Sequence, residues 1–541
     1  MDMKLKKRLP ALVLGLILIM TSLAIPVLAE NNDPDAPFYK YPETVNLTAG
    51  VPVYDGVKRL PEGDTLENNR YTRYFEEHSN IHITNKFEAQ NGDAYSQKVQ
   101  LAAASDDLPD FMVVDKRDYS LFKQMVEFGQ VADLTEAYNK YVNPEIRAKI
   151  ESGDGSALKQ VTFDGKIMAI PSPTFQYDTM PLLWIRQDWL DELGLQPPQT
   201  VEDLEAIAKA FIAKGFGGKS IMGLTADKYY DEAFAQIFAA YNAFPTQWYL
   251  DGSGELTFGA ITPQAKEGLA KLAQMYKDGL IDPEFASRES STEVVADNRV
   301  GMYFCPWWAP WGALLDSTKN DPTANWQAYT LPLSAEGKFS FAAPDPNNCY
   351  LVVSSNCQNI DAVMRYFNVS TDLNAVINEA LYKDIKGLDE PYRLSAVSMV
   401  FDYVDCIPRK NILYNAILEG KETIGGPTDI NPVETQYNID CINAEAKTPR
   451  GDIDAWAQAA AYLIGAKPLV NNDKIVSVPG AYYGSTAIMD AKWANLKQLK
   501  DQVYLGIITG NLPIDAFDQF VSDWKTQGGD EITAEIKAII D

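Results

Sequence analysis

The stretch "ENNRYTRYFEEHSNIHITNKF", residues 67–87, changes its hydrophobic period midway. Up to Ser79 the large apolar residues Tyr71, Tyr74 and Phe75 recur at three/four spacing, which marks one face of a helix. From Ile81 onward apolar and polar residues alternate, which marks a strand with one covered side. Working outward, "VNLTAGVPV" (45–53) reads as a strand and "DAYSQKVQLAAAS" (93–105) as a helix. "DFMVVD" (110–115) is a short buried strand, and "DYSLFKQMVEFG" (118–129) a helix stopped by Gly129. Strand and helix thus alternate three times over about ninety residues, which predicts an α/β layer on a mostly parallel sheet.

A second run starts near Pro171. "MPLLWIRQDWLDELGL" (180–195) is a strand feeding a helix, and Thr200 is placed to cap the helix "VEDLEAIAKAFIAKG" (201–215). In residues 254–285 a strand "LTFGA" leads to Thr262 as cap, Pro263 in the first turn, and an amphipathic helix closed by Gly279 with Pro283 beyond. "TEVVADN" and "RVGMYF" (292–304) repeat helix then strand. "YLVVSSNCQNIDAVMRYFNV" (350–369) begins strand-then-helix again, so the chain is expected to re-enter an earlier lobe. The last sixty or so residues read as helices. Neither an internal repeat nor a low-complexity linker appears, so short crossovers are expected between two α/β lobes.

The first thirty or so residues read as a targeting segment rather than fold. Lys4, Lys6, Lys7 and Arg8 precede the apolar run "ALVLGLILIMTSLAI" (11–25), and "PVLAE" places the small Ala29 at a cleavage-like position. The expectation is a secretory signal, residues 1–29, and an exported, soluble mature protein. No cysteine stands at or just after that position to take a lipid, and an uncleaved anchor is the alternative.

Composition is 46% hydrophobic and 11% aromatic, enough to bury large cores. The formal charge of −27 favours solubility and disfavours nucleic acid and anionic membrane surfaces as partners. The cysteines are Cys305, Cys349, Cys357, Cys406 and Cys441, an odd number that fixes no pairing. Cys349 and Cys357 are near enough in sequence to close a short loop. A chain of this length needs no such staple, and buried free thiols are expected.

Catalytic signatures are scarce. The only histidines, His78 and His82, straddle the predicted helix-to-strand turn, which argues against a shared metal. With no other histidine a Ser-His-Asp triad is nearly excluded, and no phosphate or dinucleotide loop motif is present. Paired carboxylates of a glycosidase kind cannot be dismissed by counting; Asp227, Asp231 and Glu434 are examples, better read as surface or ligand-bonding groups.

Aromatic residues give the positive signal. "GMYFCPWWAPWG" (301–312) packs Trp307, Trp308 and Trp311 together just past a strand's carboxyl end, where open α/β sheets bind ligands. Tyr177 in "PTFQYD", Trp248 in "FPTQWYLDG" and Tyr482 in "PGAYYGS" are further aromatics flanked by Pro or Gly. Sugar rings have apolar C–H faces and polar rims, so rings plus acids make a saccharide-compatible mixture. Packing between lobes accounts for each tryptophan equally well.

The segments "AASDDLPDFMVVD", "GKIMAIPSP", "LLWIRQDWLDELGL", "GAITPQAKEGLAKLAQMYKDGLIDPEFA", "RVGMYFCPWWA" and "DAFDQFVSDWKTQGGDEITAEI" resemble, in that order, bacterial extracellular solute-binding proteins of ABC sugar importers, most of all the LplA-like group. The resemblance implies a two-lobed periplasmic-binding-protein-like α/β fold of type II with a helical C-terminal region. It places lobe 1 at 37–170 plus 346–410 and lobe 2 at 171–345 plus 411–541, with "GKIMAIPSP" as first crossover and "AAPDPNNCYLVV" as the return. It also implies hinge closure around an oligosaccharide, followed by docking of a monomer on the ABC permease subunits. Trp307 and Trp308 are the expected stacking residues, with Trp311, Tyr177, Trp248 and Tyr482 behind them. Asp115 and Asp227 are expected hydroxyl acceptors from opposite lobes. No cofactor is expected. Relatives often carry an Asp-rich, calcium-loop-like segment where this chain reads "FGGKSIMGL", and relatives are commonly lipoproteins. A secreted polysaccharide-degrading enzyme is the alternative reading, and a surface adhesin using the same cleft is a third.

Overall fold

Eight strands carry the two main sheets: β1 (Val45–Val53), β2 (Ile81–Gln90), β3 (Phe111–Asp115), β4 (Ile170–Pro173), β5 (Leu182–Arg186), β6 (Met302–Cys305), β7 (Trp326–Tyr329) and β8 (Asn347–Val353). They belong to a computed structural model that describes residues 33–54, 60–216, 218, 221–371, 391–420 and 432–540. The expected signal segment, the Glu434 side chain, and Gly217, Lys219 and Ser220 of "FGGKSIMGL" lie outside the described residues.

The change of period at residues 79–81 is a sharp turn. Asn69 caps the helix Arg70–Ser79 by accepting from the Tyr71 and Thr72 amides, and Tyr71 and Phe75 are its buried face. Asn80, in the left-handed region at φ 56, ends the helix and hands the chain to β2. The two histidines part there: His78 stacks on Tyr74 at 3.7 Å, and His82 faces Glu76 at 3.2 Å. Thr200 and Thr262 cap the helices Val201–Lys214 and Pro263–Lys277 as their positions predict.

The first sheet has the order β2-β1-β3-β8-β4. β1 runs parallel to β2 and β3, but β8 is antiparallel to both β3 and β4. The sheet is therefore mixed, a correction to the mostly parallel expectation in this one strand. Its cause is the route of the chain: β8 enters from the other lobe, against the direction in which β3 and β4 leave. One edge of the sheet thus collects the carboxyl ends of β1, β3 and β4 together with the start of β8.

The second sheet is β6-β5-β7, both outer strands antiparallel to β5. β5 is buried along its whole length because both faces are covered. Leu183 and Ile185 join a core with Phe211, Phe238, Leu269, Tyr504 and Trp524. Leu182 and Trp184 point the other way, into a core with Trp307, Trp326, Tyr414 and Tyr462. The first sheet has its own core, drawn from residues 47–170 and 350–399. The fold is two-lobed α/β, with the C-terminal helices Ala487–Ile508, Ala516–Trp524 and Asp530–Ile540 in the second lobe.

Three segments join the lobes side by side. The Thr174 amide donates to the Pro346 carbonyl at 2.8 Å, and the Gln176 amide to Val404 at 2.7 Å. Ser172 Oγ donates to the Val400 carbonyl at 2.8 Å. The chain goes out after β4, returns before β8, and goes out again near residue 400.

Candidate ligand-binding cleft between the lobes

The tryptophan loop is built from beneath. β6 ends at Cys305, and Pro306 stops it because it offers no amide to the ladder. The buried Trp184 indole donates to the Cys305 and Pro306 carbonyls, at 3.1 Å each. A tight turn over Ala309–Trp311 follows. The backbone at Gly465 passes so close that a methyl group there would lie 2.1 Å from the Trp307 carbonyl.

This frame separates the three rings. Trp307 is 6% exposed and packs against Trp311 at 4.9 Å and Tyr462 at 5.2 Å. Trp308 and Trp311 are 37% and 41% exposed. The Trp307 indole donates to Asp178 Oδ1 at 3.3 Å, and the Trp308 indole to the Asp178 carbonyl at 3.0 Å. Asp178 lies on the first crossing, so one residue between the lobes fixes the edges of two rings while the Trp308 face stays open.

Lobe 1 meets this platform with the residues just past β3. Asp115 accepts from the Arg117 amide and Nε, both at 2.9 Å. The Lys116 charge reaches Asp178 and also Asp345, which stands on the return crossing. Burial pushes both carboxyl groups above their ordinary range; the Trp307 indole and Lys116 oppose this at Asp178, the Asn347 amide, Gln160 and Lys116 at Asp345. Tyr119 donates to the Gln160 carbonyl at 2.9 Å and turns its ring to lobe 2, where a methyl on Gly484 would sit 2.8 Å away. Gly484 takes φ 105, a conformation open to glycine, so this close approach needs glycine on both counts.

Of the sequence candidates, Trp307 and Trp308 bond to Asp178, and Trp311 packs against Trp307 and Tyr462. Tyr177 precedes Asp178 and packs 6.1 Å from Phe341. Tyr482 donates to the Ser485 carbonyl at 2.8 Å and faces Tyr119; burial pushes its phenol up to about 12. Asp115 flanks the site from lobe 1. Trp248 is placed elsewhere: it is 4% exposed and packs against Phe258 and Trp524 inside lobe 2. Its Pro and Gly flanks belong to a short hairpin, Trp248–Leu250 with Leu256–Phe258, whose inner side is core. Asp227 is also remote, its oxygens taking the Tyr229 amide and the Ser291 amide and hydroxyl, so it ties two loops together. Asp231 is paired with Lys500 inside lobe 2. Lys116, Tyr119, Asp178 and Asp345 were not anticipated. The one local signal was the aspartate directly after Tyr177 in "PTFQYD".

Cys305, Cys349 and Cys357 are free thiols. Among the described residues no group of three or more His, Cys, Asp or Glu side chains is arranged to hold a metal. Nor is any described helix long and apolar enough to cross a membrane.

Asp178→Asn keeps an oxygen for the Trp307 indole and removes the charge. Since burial raises the folded-state pKa, ionising Asp178 costs stability above the ordinary carboxylate range, and that cost fades as pH falls through the raised value. The variant is expected to equal or exceed the parent's melting temperature at neutral pH, the margin closing towards pH ~4. A margin that widens on acidification would contradict the burial argument.

The sequence model for bacterial extracellular solute-binding proteins matches residues 59–372. The chain belongs to that family. This solute-binding protein is 21% identical over 453 residues to the polygalacturonan/rhamnogalacturonan-binding protein YtcQ of Bacillus subtilis, covering 81% of this chain and 82% of that one. It is 24% identical over 225 residues to FusA of Streptococcus pneumoniae, a fructooligosaccharide ABC transporter substrate-binding protein, covering 39% of this chain and 42% of that one. Among solved structures, the alginate-binding protein AlgQ2 superposes with a TM-score of 0.58 at 19% identity, over 92% of this chain and 98% of that one. An HMO-binding solute-binding protein from Bifidobacterium longum infantis superposes with a TM-score of 0.61 at 15% identity, over 92% and 99%. These likenesses show the two-lobed fold, and the relatives are binding proteins rather than enzymes.

Proposed function

We propose that this solute-binding protein captures an oligosaccharide between its lobes and delivers it intact to the permease of an ABC importer. The observation that carries the reading is the exposed pair Trp308 and Trp311 at the mouth between the lobes, Trp308 held by Asp178 on a crossing segment and Trp311 packed edge-on against Trp307. An indole face desolvates the C–H side of a sugar while carboxylates and Lys116 take its hydroxyls. The saccharide names of YtcQ, FusA and AlgQ2 support a carbohydrate ligand in general, YtcQ and AlgQ2 being named for acidic glycans and FusA for a neutral one.

In this reading Trp308 and Trp311 stack on the sugar and Trp307 supports them from the core. Tyr177, Tyr482 and Asp115 line the approach, whereas Trp248 and Asp227 hold lobe 2 together. The lobes follow the cores, so the second outward crossing falls near residue 400 and the helix Cys406–Leu418 belongs with lobe 2. Closure brings Tyr119 and the Tyr482–Gly484 loop together, and a ligand that bridges the lobes favours that state by its greater affinity for it. The protein works as an exported monomer, binds no nucleic acid, and breaks no bond in its ligand.

A thermal-shift screen over an oligosaccharide library tests the capture reading, because a ligand bound only by the folded form raises the melting temperature. At least one oligosaccharide is expected to do so, and no new reducing ends are expected on incubation. Turnover of a glycan would replace transport with the degrading-enzyme reading, and a library without a single shift would remove the saccharide.

A further inference from the structure

We infer that the oligosaccharide taken by this cleft is uncharged and that chains of uronic acids are refused. This rests on the oligosaccharide reading above and adds the class of sugar. Charged side chains at the cleft mouth, among the described residues, favour a neutral guest.

Three cations near the mouth are paired with carboxylates of the protein. Arg117 is held by Asp115 at 2.9 Å and by Asp93 at 3.4 Å. Near the second outward crossing, Arg409 is held by Asp405 at 2.7 Å, and the charge of Asp405 also reaches Tyr177. Lys410 is held by Asp402 at 3.3 Å. The charge of Lys116 acts on two carboxylates, Asp178 and Asp345, and Arg393 lies over the Tyr54 ring at 5.4 Å. Asp154 and Asp345 both reach Tyr483, on the loop that meets lobe 1.

A uronate carboxylate entering here would lose water beside two like charges, Asp178 and Asp345. Planar bidentate pairing is the usual means of recognising a carboxylate, and an unpaired desolvated charge is heavily penalised. Discrimination of this kind works through the repulsive element. A neutral sugar meets the opposite situation. Its hydroxyls donate to Asp178 and Asp345, which keep lone pairs beyond the bonds they already accept, and one hydroxyl oxygen accepts from Lys116. Its C–H faces lie on Trp308 and Trp311.

The test is titration calorimetry of the full mature chain with two length-matched panels, at low and high salt. One panel holds neutral fructo-, manno-, galacto- and xylo-oligosaccharides, the other oligogalacturonates and alginate oligosaccharides. A neutral series is expected to bind, with every uronate weaker by about tenfold or more and the gap shrinking as salt rises. Asp345→Asn, which keeps an oxygen for the Asn347 amide, is expected to narrow the neutral-to-uronate ratio severalfold, with near-UV circular dichroism showing an unaltered fold. A uronate that binds as well as or better than the neutral sugars overturns this inference and leaves the oligosaccharide reading standing. Binding by neither panel overturns both. A ratio unchanged in Asp345→Asn and in Asp178→Asn overturns the assignment of the discrimination to these carboxylates.

Discussion

Trp184→Ala is expected to destabilise the second lobe by about 3–5 kcal/mol, the range for deleting a fully buried tryptophan from a core. Trp184 is 0% exposed, at the centre of the middle strand of a sheet covered on both faces. The substitution removes the ring on which Gly465 and the tryptophan loop rest, and it leaves the Cys305 and Pro306 carbonyls without their shared donor. Urea unfolding followed by far-ultraviolet circular dichroism reads the loss. The first lobe has its own core, so the earlier transition should belong to the second lobe alone. The platform should loosen as well, so sugar affinity is expected to fall where the lobe is still folded. A loss below about 1 kcal/mol would mean that the ring is not the support described here.

Removing the open rings should have the larger effect on binding. Trp308→Ala and Trp311→Ala are each expected to cost at least ~1 kcal/mol of affinity, a size extended from aromatic contacts elsewhere. The rings stand on one short turn, so the double variant tests whether they act on one sugar unit or two. Independent action predicts about 2–3 kcal/mol in all, roughly 30- to 150-fold in Kd. Both side chains are exposed, so the melting temperature should change little. Calorimetry with the best oligosaccharide from the screen measures the effect. An isotherm unchanged in the double variant, with the fold intact, would take both rings out of the site.

Much of the first lobe is legible in the sequence because its signals are local. The alternation from Ile81 to Phe87 and the three/four spacing of Tyr71, Tyr74 and Phe75 are properties of neighbouring residues, and in the second lobe Thr200 and Thr262 sit where a cap has to sit. The antiparallel course of β8 is not local: a strand's direction depends on where the chain has come from, and "YLVV" reads the same either way. The tryptophan cluster was legible as a cluster, but not which ring faces inward. That is decided by Trp184, Gly465 and Tyr462, which approach from positions more than a hundred residues away. Trp248 shows the same limit, since Pro and Gly flanks mark a turn without telling which side of the hairpin is covered. Asp178, Asp345, Lys116 and Tyr119 carry no motif at all. Their significance arises where the crossings meet the edge of the first sheet.

The most direct measurement of the central claim is a crystal structure grown with the tightest oligosaccharide from the screen. The account predicts an intact sugar between the lobes, one ring face on Trp308 or Trp311 and its hydroxyls on Asp178, Lys116 or Asp345. A sugar bound outside this cleft, or bound there in cleaved form, would contradict it.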